Sequence, residues 1–305
     1  MNLRCTALAA IVLVSSCAVP TGGSNSTRAV YDKLLKRYPA IRIADDTAPS
    51  GVRRVNGLTY ATHASGDLKL DLVLPAASGA PLVVFVHGGG WRSGSRAEFA
   101  PIALRLAQRG YASALVSYRL STVAPYPAAV HDVKAAVAWL RLHAGRHGVD
   151  PQRIALAGGS AGGQLASLAG MTANVQAIIN VDGLSDFTSA EALRHEDDPA
   201  KNPSAAGQWF GGRYAEKAAL WHEASPITHA SEATPPMLFI GSSEQRFSVG
   251  RAAMVDKLGA VGVPSRVVVL PDSPHSFWRF EPWIAPTVDA MSAFLDTHLA
   301  RRAGQ

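Results

Sequence analysis

The sequence predicts a doubly wound α/β fold, a mostly parallel sheet with helices on both faces, and three observations carry that prediction. Strand-like and helix-like segments alternate from about residue 58 onward. One strand pattern, Arg153-Ile154-Ala155-Leu156-Ala157, runs directly into Gly158-Gly159-Ser160-Ala161-Gly162, and a helix pattern starts at once behind that turn. The rhythm breaks at residues 183–234, rich in Gly, Pro, Trp and charge. Such an excursion is expected over the carboxyl ends of the strands, the edge at which doubly wound sheets bind ligands.

Each element has its own signal. Leu68 to Leu74 alternates polar and apolar residues, as a half-exposed strand does. Pro81 to Val86 is a continuous apolar run, the pattern of a parallel strand buried on both faces. Glu98 to Arg109 reads as helix, Gly110 ends it, and Tyr111 to Ser117 returns as strand. Pro127 opens a long helix from Ala128 to about His147, and Asp150-Pro151 marks a turn beyond it. Strand 153–157, the glycine turn, a helix over 161–171 and strand Val175 to Val181 follow. After the excursion, Met237 to Ile240 and Arg266 to Leu270 read as strands on either side of a helix from Val249 to Gly262, and an amphipathic helix spans Pro286 to Ala300. No internal repeat is visible.

Composition bounds the function. The chain has 305 residues, 48% hydrophobic and 17% charged, which suits an ordinary folded protein with ample core. Its 29 Lys and Arg against 23 Asp and Glu give a formal charge of +6, but the basic residues are scattered, and no nucleic-acid partner is expected. Residues 1–17 form a separate object. Arg4 is followed by a short apolar run, Thr6 to Val14, far below the ~20 residues needed to span a bilayer. Val14-Ser15-Ser16-Cys17 resembles a bacterial lipobox, so Cys17 is the expected lipidation site and the sole membrane contact is an N-terminal lipid anchor. An exported, envelope-anchored lipoprotein follows as the expected location. With Cys5 removed and Cys17 acylated, the mature domain would hold no thiol and rely on core burial. Thr21 to Arg28 reads as a flexible tether within an N-terminal segment of residues 18–40, and residues 41–305 form the main domain.

The residues also suggest chemistry. A Gly-x-Ser-x-Gly turn between strand and helix raises its serine hydroxyl above the sheet, so Ser160 is the candidate nucleophile. Serine needs a base, and His275, in the loop after the last strand, is the candidate. The developing oxyanion needs aimed N–H donors; Ala161, after the nucleophile, and Gly89 and Gly90, in the run His87-Gly88-Gly89-Gly90-Trp91, supply them. His87 is expected to orient that loop, and His143 and His147 to lie on a solvated helix face. A carboxylate must hold the imidazole. Glu244, in Gly241-Ser242-Ser243-Glu244-Gln245 after a strand, is favoured, and Asp182, at the end of the strand before it, is the alternative. Trp91 and Trp278 are candidate substrate-binding residues because flat aromatic faces stack on sugar rings; Trp209 and Trp221 share that reading.

Together these pieces resemble the α/β-hydrolase superfamily, and within it the esterases related to hormone-sensitive lipase and to bacterial acetyl and feruloyl esterases (the BD-FAE type). The resemblance covers residues 58–300 through His87 to Gly94, Ser117-Tyr118-Arg119-Leu120, Gly158 to Gly163, Ala224-Ser225-Pro226-Ile227 and Pro235-Pro236-Met237-Leu238. It implies an eight-stranded sheet with a lid-like insertion at 183–234, ester hydrolysis through an acyl-enzyme, and no metal or organic cofactor. Relatives usually carry His-Gly-x-x-Asp in the acid loop; here Gly241 to Gln245 lacks aspartate and Glu244 falls one place early. The ending Pro271-Asp272-Ser273-Pro274-His275-Ser276-Phe277-Trp278 resembles esterases that work beside plant-polysaccharide degradation, pointing to short acyl, chiefly acetyl, esters on glycans or small molecules. Competing readings are a peptidase of the prolyl oligopeptidase type and a non-catalytic binding protein on the same fold. Oligomeric state is not legible.

Overall fold

The computed structural model describes residues 26–300, so Cys17 and the signal-like segment lie outside the described residues. An eight-stranded sheet forms the centre, in the order β2 (Arg53–His63), β3 (Gly66–Leu74), β5 (Ala112–Val116), β4 (Ala80–Val86), β6 (Val149–Gly159), β7 (Ala177–Val181), β8 (Met237–Gly241), β9 (Ser265–Val269). The β2–β3 and β3–β5 pairs are antiparallel and the other neighbours parallel. This is the α/β-hydrolase arrangement the sequence predicts. A small second sheet pairs β1 (Arg42–Ile43) with β10 (Phe280–Glu281).

The apolar runs explain the layering. Along β4, Leu82, Val84 and Val86 enter one core and Val83 and Phe85 the other, because successive side chains leave a strand on opposite faces. On the first face lie α3 (Ala128–His143), α4 (Ala161–Gly170) and α9 (Arg251–Ala260); on the second, α2 (Ala100–Gln108) and α10 (Ile284–His298). Helix α4 is buried throughout, and its run of Ala and Gly lets it lie close against the sheet. Between β7 and β8 the chain makes four short helices, α5 (Ala190–Glu196), α6 (Ala205–Phe210), α7 (Tyr214–Glu223) and α8 (Pro226–His229). Among the described residues no helix is long and apolar enough to cross a membrane.

Several boundaries differ from the sequence reading. Strand β2 has no counterpart in it, since this edge strand is largely solvated and Gly57 interrupts its pattern. Asp150-Pro151, expected as a turn, lies inside β6, which starts at Val149 opposite Ala80. The long helix stops at His143, continues as a 3-10 turn to His147, and ends at Gly148 with φ +80°. The expected tether is shortened by α1 (Thr27–Leu34), capped by the Ser26 hydroxyl, which accepts from the Ala29 N–H at 3.2 Å. Tyr31 and Tyr38 pack against Phe280 and Trp283, so α1 and the turn after it lie against the main domain.

Candidate active site

Ser160 sits between β6 and α4 with φ +55° and ψ −125°, a strained conformation for a residue with a side chain. Its glycine neighbours make the turn possible. A Cβ on Gly158 would lie 2.2 Å from the Gly162 carbonyl oxygen, and one on Gly162 would lie 2.1 Å from the Val86 oxygen. The Ser160 N–H donates to the Val181 carbonyl at 2.9 Å, which pins the turn to β7.

His275 reaches that serine from the loop after β9. Its Nε2 is 3.0 Å from Ser160 Oγ, and its Nδ1 is 3.0 Å from Asp182 Oδ2. Asp182 stands just past β7 with φ +51°, its side chain fully buried, and its Oδ1 accepts the Ser242 N–H at 2.8 Å. The expectation that Glu244 faces the imidazole is therefore corrected in favour of the alternative. Glu244 turns toward the backbone: its Oε1 accepts the His275 N–H at 3.3 Å and lies 3.9 Å from Arg37. The reason is topological. Strand β7 directly neighbours β6, so Asp182 emerges beside Ser160, whereas the Glu244 loop is one strand further out and lies under the histidine loop.

The glycine run after β4 faces the same opening. Among the described residues, the N–H groups of Gly89, Gly90 and Ala161 donate to no protein acceptor, and all three residues line the cavity that holds Ser160 and His275. Gly89, with φ +110°, leaves no room for a side chain, since a Cβ would meet the Ser93 oxygen at 2.2 Å. Ala161 opens α4, so its N–H also carries the positive end of the helix dipole. His87 is buried and stacked on Tyr118, and its Nδ1 lies 2.8 Å from the Gly88 carbonyl oxygen. Burial holds its pKa below the usual imidazole value, so it is a neutral structural group.

Sequence reasoning missed the group that ties the two loops together. Glu98 is buried beneath the turn and accepts from Trp278 Nε1 at 2.8 Å and from the Gly88 N–H at 3.4 Å, while Arg279 Nη2 stands 2.8 Å from its other oxygen. A lone glutamate in a helix-like run carries no sequence signal for such a role. Phe247 was also missed; its ring stacks on His275 with 3.4 Å between centroids.

The tryptophans are not sugar platforms. Trp91 is stacked on Trp209 at 4.8 Å and donates through Nε1 to Gln164 at 3.0 Å. Trp278 lies against Phe99, edge-on to His275, and is fully buried, as are Trp209 and Trp221. Trp91 and Trp278 border the cavity, but their faces are covered by other rings, so the stacking expectation is withdrawn. The cavity itself measures about 350 Å³ and is lined in part by the charged residues Arg92, Glu196 and Arg246. Among the described residues no three His, Cys, Asp or Glu side chains converge as a metal site would require.

The BD-FAE family model matches residues 70–249. The probable carboxylic ester hydrolase LipM of Mycobacterium tuberculosis is 31% identical over 255 residues, 78% of this chain and 58% of the relative. The chain thus spans little more than half the length of that protein, and the same holds for the esterase LipQ of that organism, at 57%. The ethyl acetate hydrolase of Pseudomonas putida is 30% identical over 222 residues, 67% of this chain and 68% of the relative. Among solved structures, the propionate-bound thermophilic esterase Est2 of Thermogutta terrifontis is similar with a TM-score of 0.67 and 26% identity, over 83% of this chain and 97% of that one.

Proposed function

The chain belongs to the BD-FAE family, and on that premise we propose that it is a serine carboxylesterase acting on short acyl esters, chiefly acetyl esters. One observation carries the proposal: the unbroken contact from Ser160 Oγ to His275 Nε2 and from Nδ1 to Asp182, each step 3.0 Å. In this reading Ser160 attacks the ester carbonyl while His275 Nε2 takes its proton. Asp182 accepts from Nδ1–H, holding the productive tautomer and stabilising the imidazolium. The tetrahedral oxygen is received by the N–H groups of Gly89, Gly90 and Ala161. His275 then protonates the departing alcohol, and a water activated by the same imidazole releases the acid from the acyl-enzyme.

A cavity of about 350 Å³ and the ethyl acetate hydrolase relative support a short acyl group. The plant cell-wall glycan substrate rests on the resemblance of the His275 loop alone, since the buried tryptophans no longer support it. The competing non-catalytic reading is disfavoured by the intact serine–histidine contact. Cell-envelope anchoring through Cys17 stays part of the proposal on sequence grounds, and mass spectrometry of the mature N-terminus checks it.

The deciding experiment is Ser160→Ala assayed on p-nitrophenyl acetate. Removal of a triad serine costs on the order of a millionfold in kcat, and the variant should stay folded because the turn accepts a smaller side chain. Retention of a tenth of the activity would refute the assignment.

A further inference from the structure

The cavity above Ser160 carries a charged pair that the proposed reaction does not use. Glu196 is the last residue of α5, and Arg246 lies in the 3-10 turn after β8. Their closest approach is 3.9 Å, too long for a hydrogen bond. Among the described residues, nothing donates a hydrogen bond to the Glu196 carboxylate and nothing accepts one from the Arg246 guanidinium. Yet the Glu196 side chain is only 14% exposed. Burial pushes its carboxyl pKa up against the opposing pull of Arg246, Lys201, His195 and His275. A carboxylate largely withdrawn from water and without a hydrogen-bond donor therefore stands beside a half-exposed guanidinium.

Their position identifies what they face. The Arg246 guanidinium lies 4.6 Å from the centroid of Phe247, and Phe247 in turn stacks on His275. The pair thus stands on the base's side of the cavity. The departing alcohol oxygen must take its proton from His275, so the alcohol half of the ester leaves on that side. The pair is also formally neutral, so a leaving group with net charge would be attracted by one member and repelled by the other. A hydroxyl suits both, donating to the carboxylate and accepting from the guanidinium. A plain alkyl alcohol would displace water and give the buried carboxylate no donor, the situation in which polar sites reject analogues that lack a hydroxyl.

We propose that Glu196 and Arg246 form a hydroxyl-recognition subsite, and that the preferred substrates are short acyl esters of polyhydroxylated alcohols. This rests on the esterase reading and adds the residues that select the alcohol.

The test compares 1-acetylglycerol with propyl acetate, which share the acyl group and the three-carbon chain and differ in hydroxyls. The wild-type protein should prefer 1-acetylglycerol in kcat/KM by about tenfold or more. Glu196→Met, which keeps length and removes both oxygens, should cut that preference by about tenfold, mainly through KM. Glu196→Gln, which retains one acceptor, should restore part of it. Arg246→Met should reduce the same ratio, and because Arg246 is 45% exposed this variant tests the subsite even if Glu196→Met misfolds. A wild-type protein with no preference between the two esters, or variants that slow both equally, would overturn the subsite while hydrolysis itself upholds the esterase reading. A wild type inactive on both esters and on p-nitrophenyl acetate would overturn both.

Discussion

Both oxygens of Asp182 are engaged, one by the Ser242 N–H and one by His275 Nδ1. An amide there cannot accept from both partners: whichever side its nitrogen takes, a donor meets a donor. Asp182→Asn should therefore turn the imidazole to the wrong tautomer and lower kcat by about ten-thousandfold. Glu244→Gln removes charge from a group that accepts the His275 backbone N–H and lies 3.9 Å from Arg37, and that does not touch the imidazole, so it should cost no more than about five- to tenfold. Steady-state kinetics on one chromogenic ester separates the two, and a larger loss at Glu244 would reverse the assignment. His87 offers a second residue-level test. Its folded pKa lies below the ordinary value of 6.5, so the unfolded chain binds the extra proton first as pH falls. Its contribution to stability is thus intact above about pH 6.5 and is lost as pH drops toward the depressed folded value. His87→Gln should flatten the decline of Tm between pH 7 and pH 5 relative to wild type; parallel curves would argue that other groups carry it. At this scale the meeting of Ser160 with His275, and the cavity-facing position of Gly89 and Gly90, were legible because motif spacing encodes them. Asp182 ranked second because sequence order does not say which strand neighbours β6, and Glu98 was invisible because its role comes from three long-range partners.

Elements meet at glycines, and two of them make opposite predictions. Helix α4 can approach β4 only because Gly162 lacks a side chain; a Cβ there would lie 2.1 Å from the Val86 oxygen and 2.5 Å from the His87 oxygen, both rigid backbone. Gly162→Ala should push helix from sheet, lowering Tm by several degrees and activity with it, since Ala161 and Gly89 would separate. Gly259 lies within α9, and a Cβ there meets nothing within 4 Å. Gly259→Ala should stabilise the fold by about 0.5–1 kcal/mol, read as a rise in the denaturation midpoint; a fall would mean an unseen packing demand. The strands with continuous apolar runs were legible from pattern alone. Edge strand β2 was not, because a solvated strand interrupted by Gly57 shows no periodic burial, and α1 was hidden by its polar, serine-capped start.

Across the whole molecule, the doubly wound topology was legible because it follows from the alternation of element types. The role of the insertion's aromatics was not. Trp209, Phe210 and Trp221 gather with Phe187 and Trp91 into a packed cluster under residues that look, in sequence, like an exposed lid. A tryptophan in a loop-like stretch reads the same whether it covers a core or greets a ligand.

The separations along the chain have a consequence in time. His275 meets Ser160 across 115 positions and Asp182 across 93, and every strand from β6 to β9 lies between the partners or beside them. Contacts so distant in sequence close late when a chain refolds, because loop-closure entropy opposes them until the intervening sheet exists. Far-ultraviolet dichroism should therefore recover before catalysis does after dilution from urea, with enzymatic activity the last signal to return. The machinery would then act as a clock for the completion of the fold.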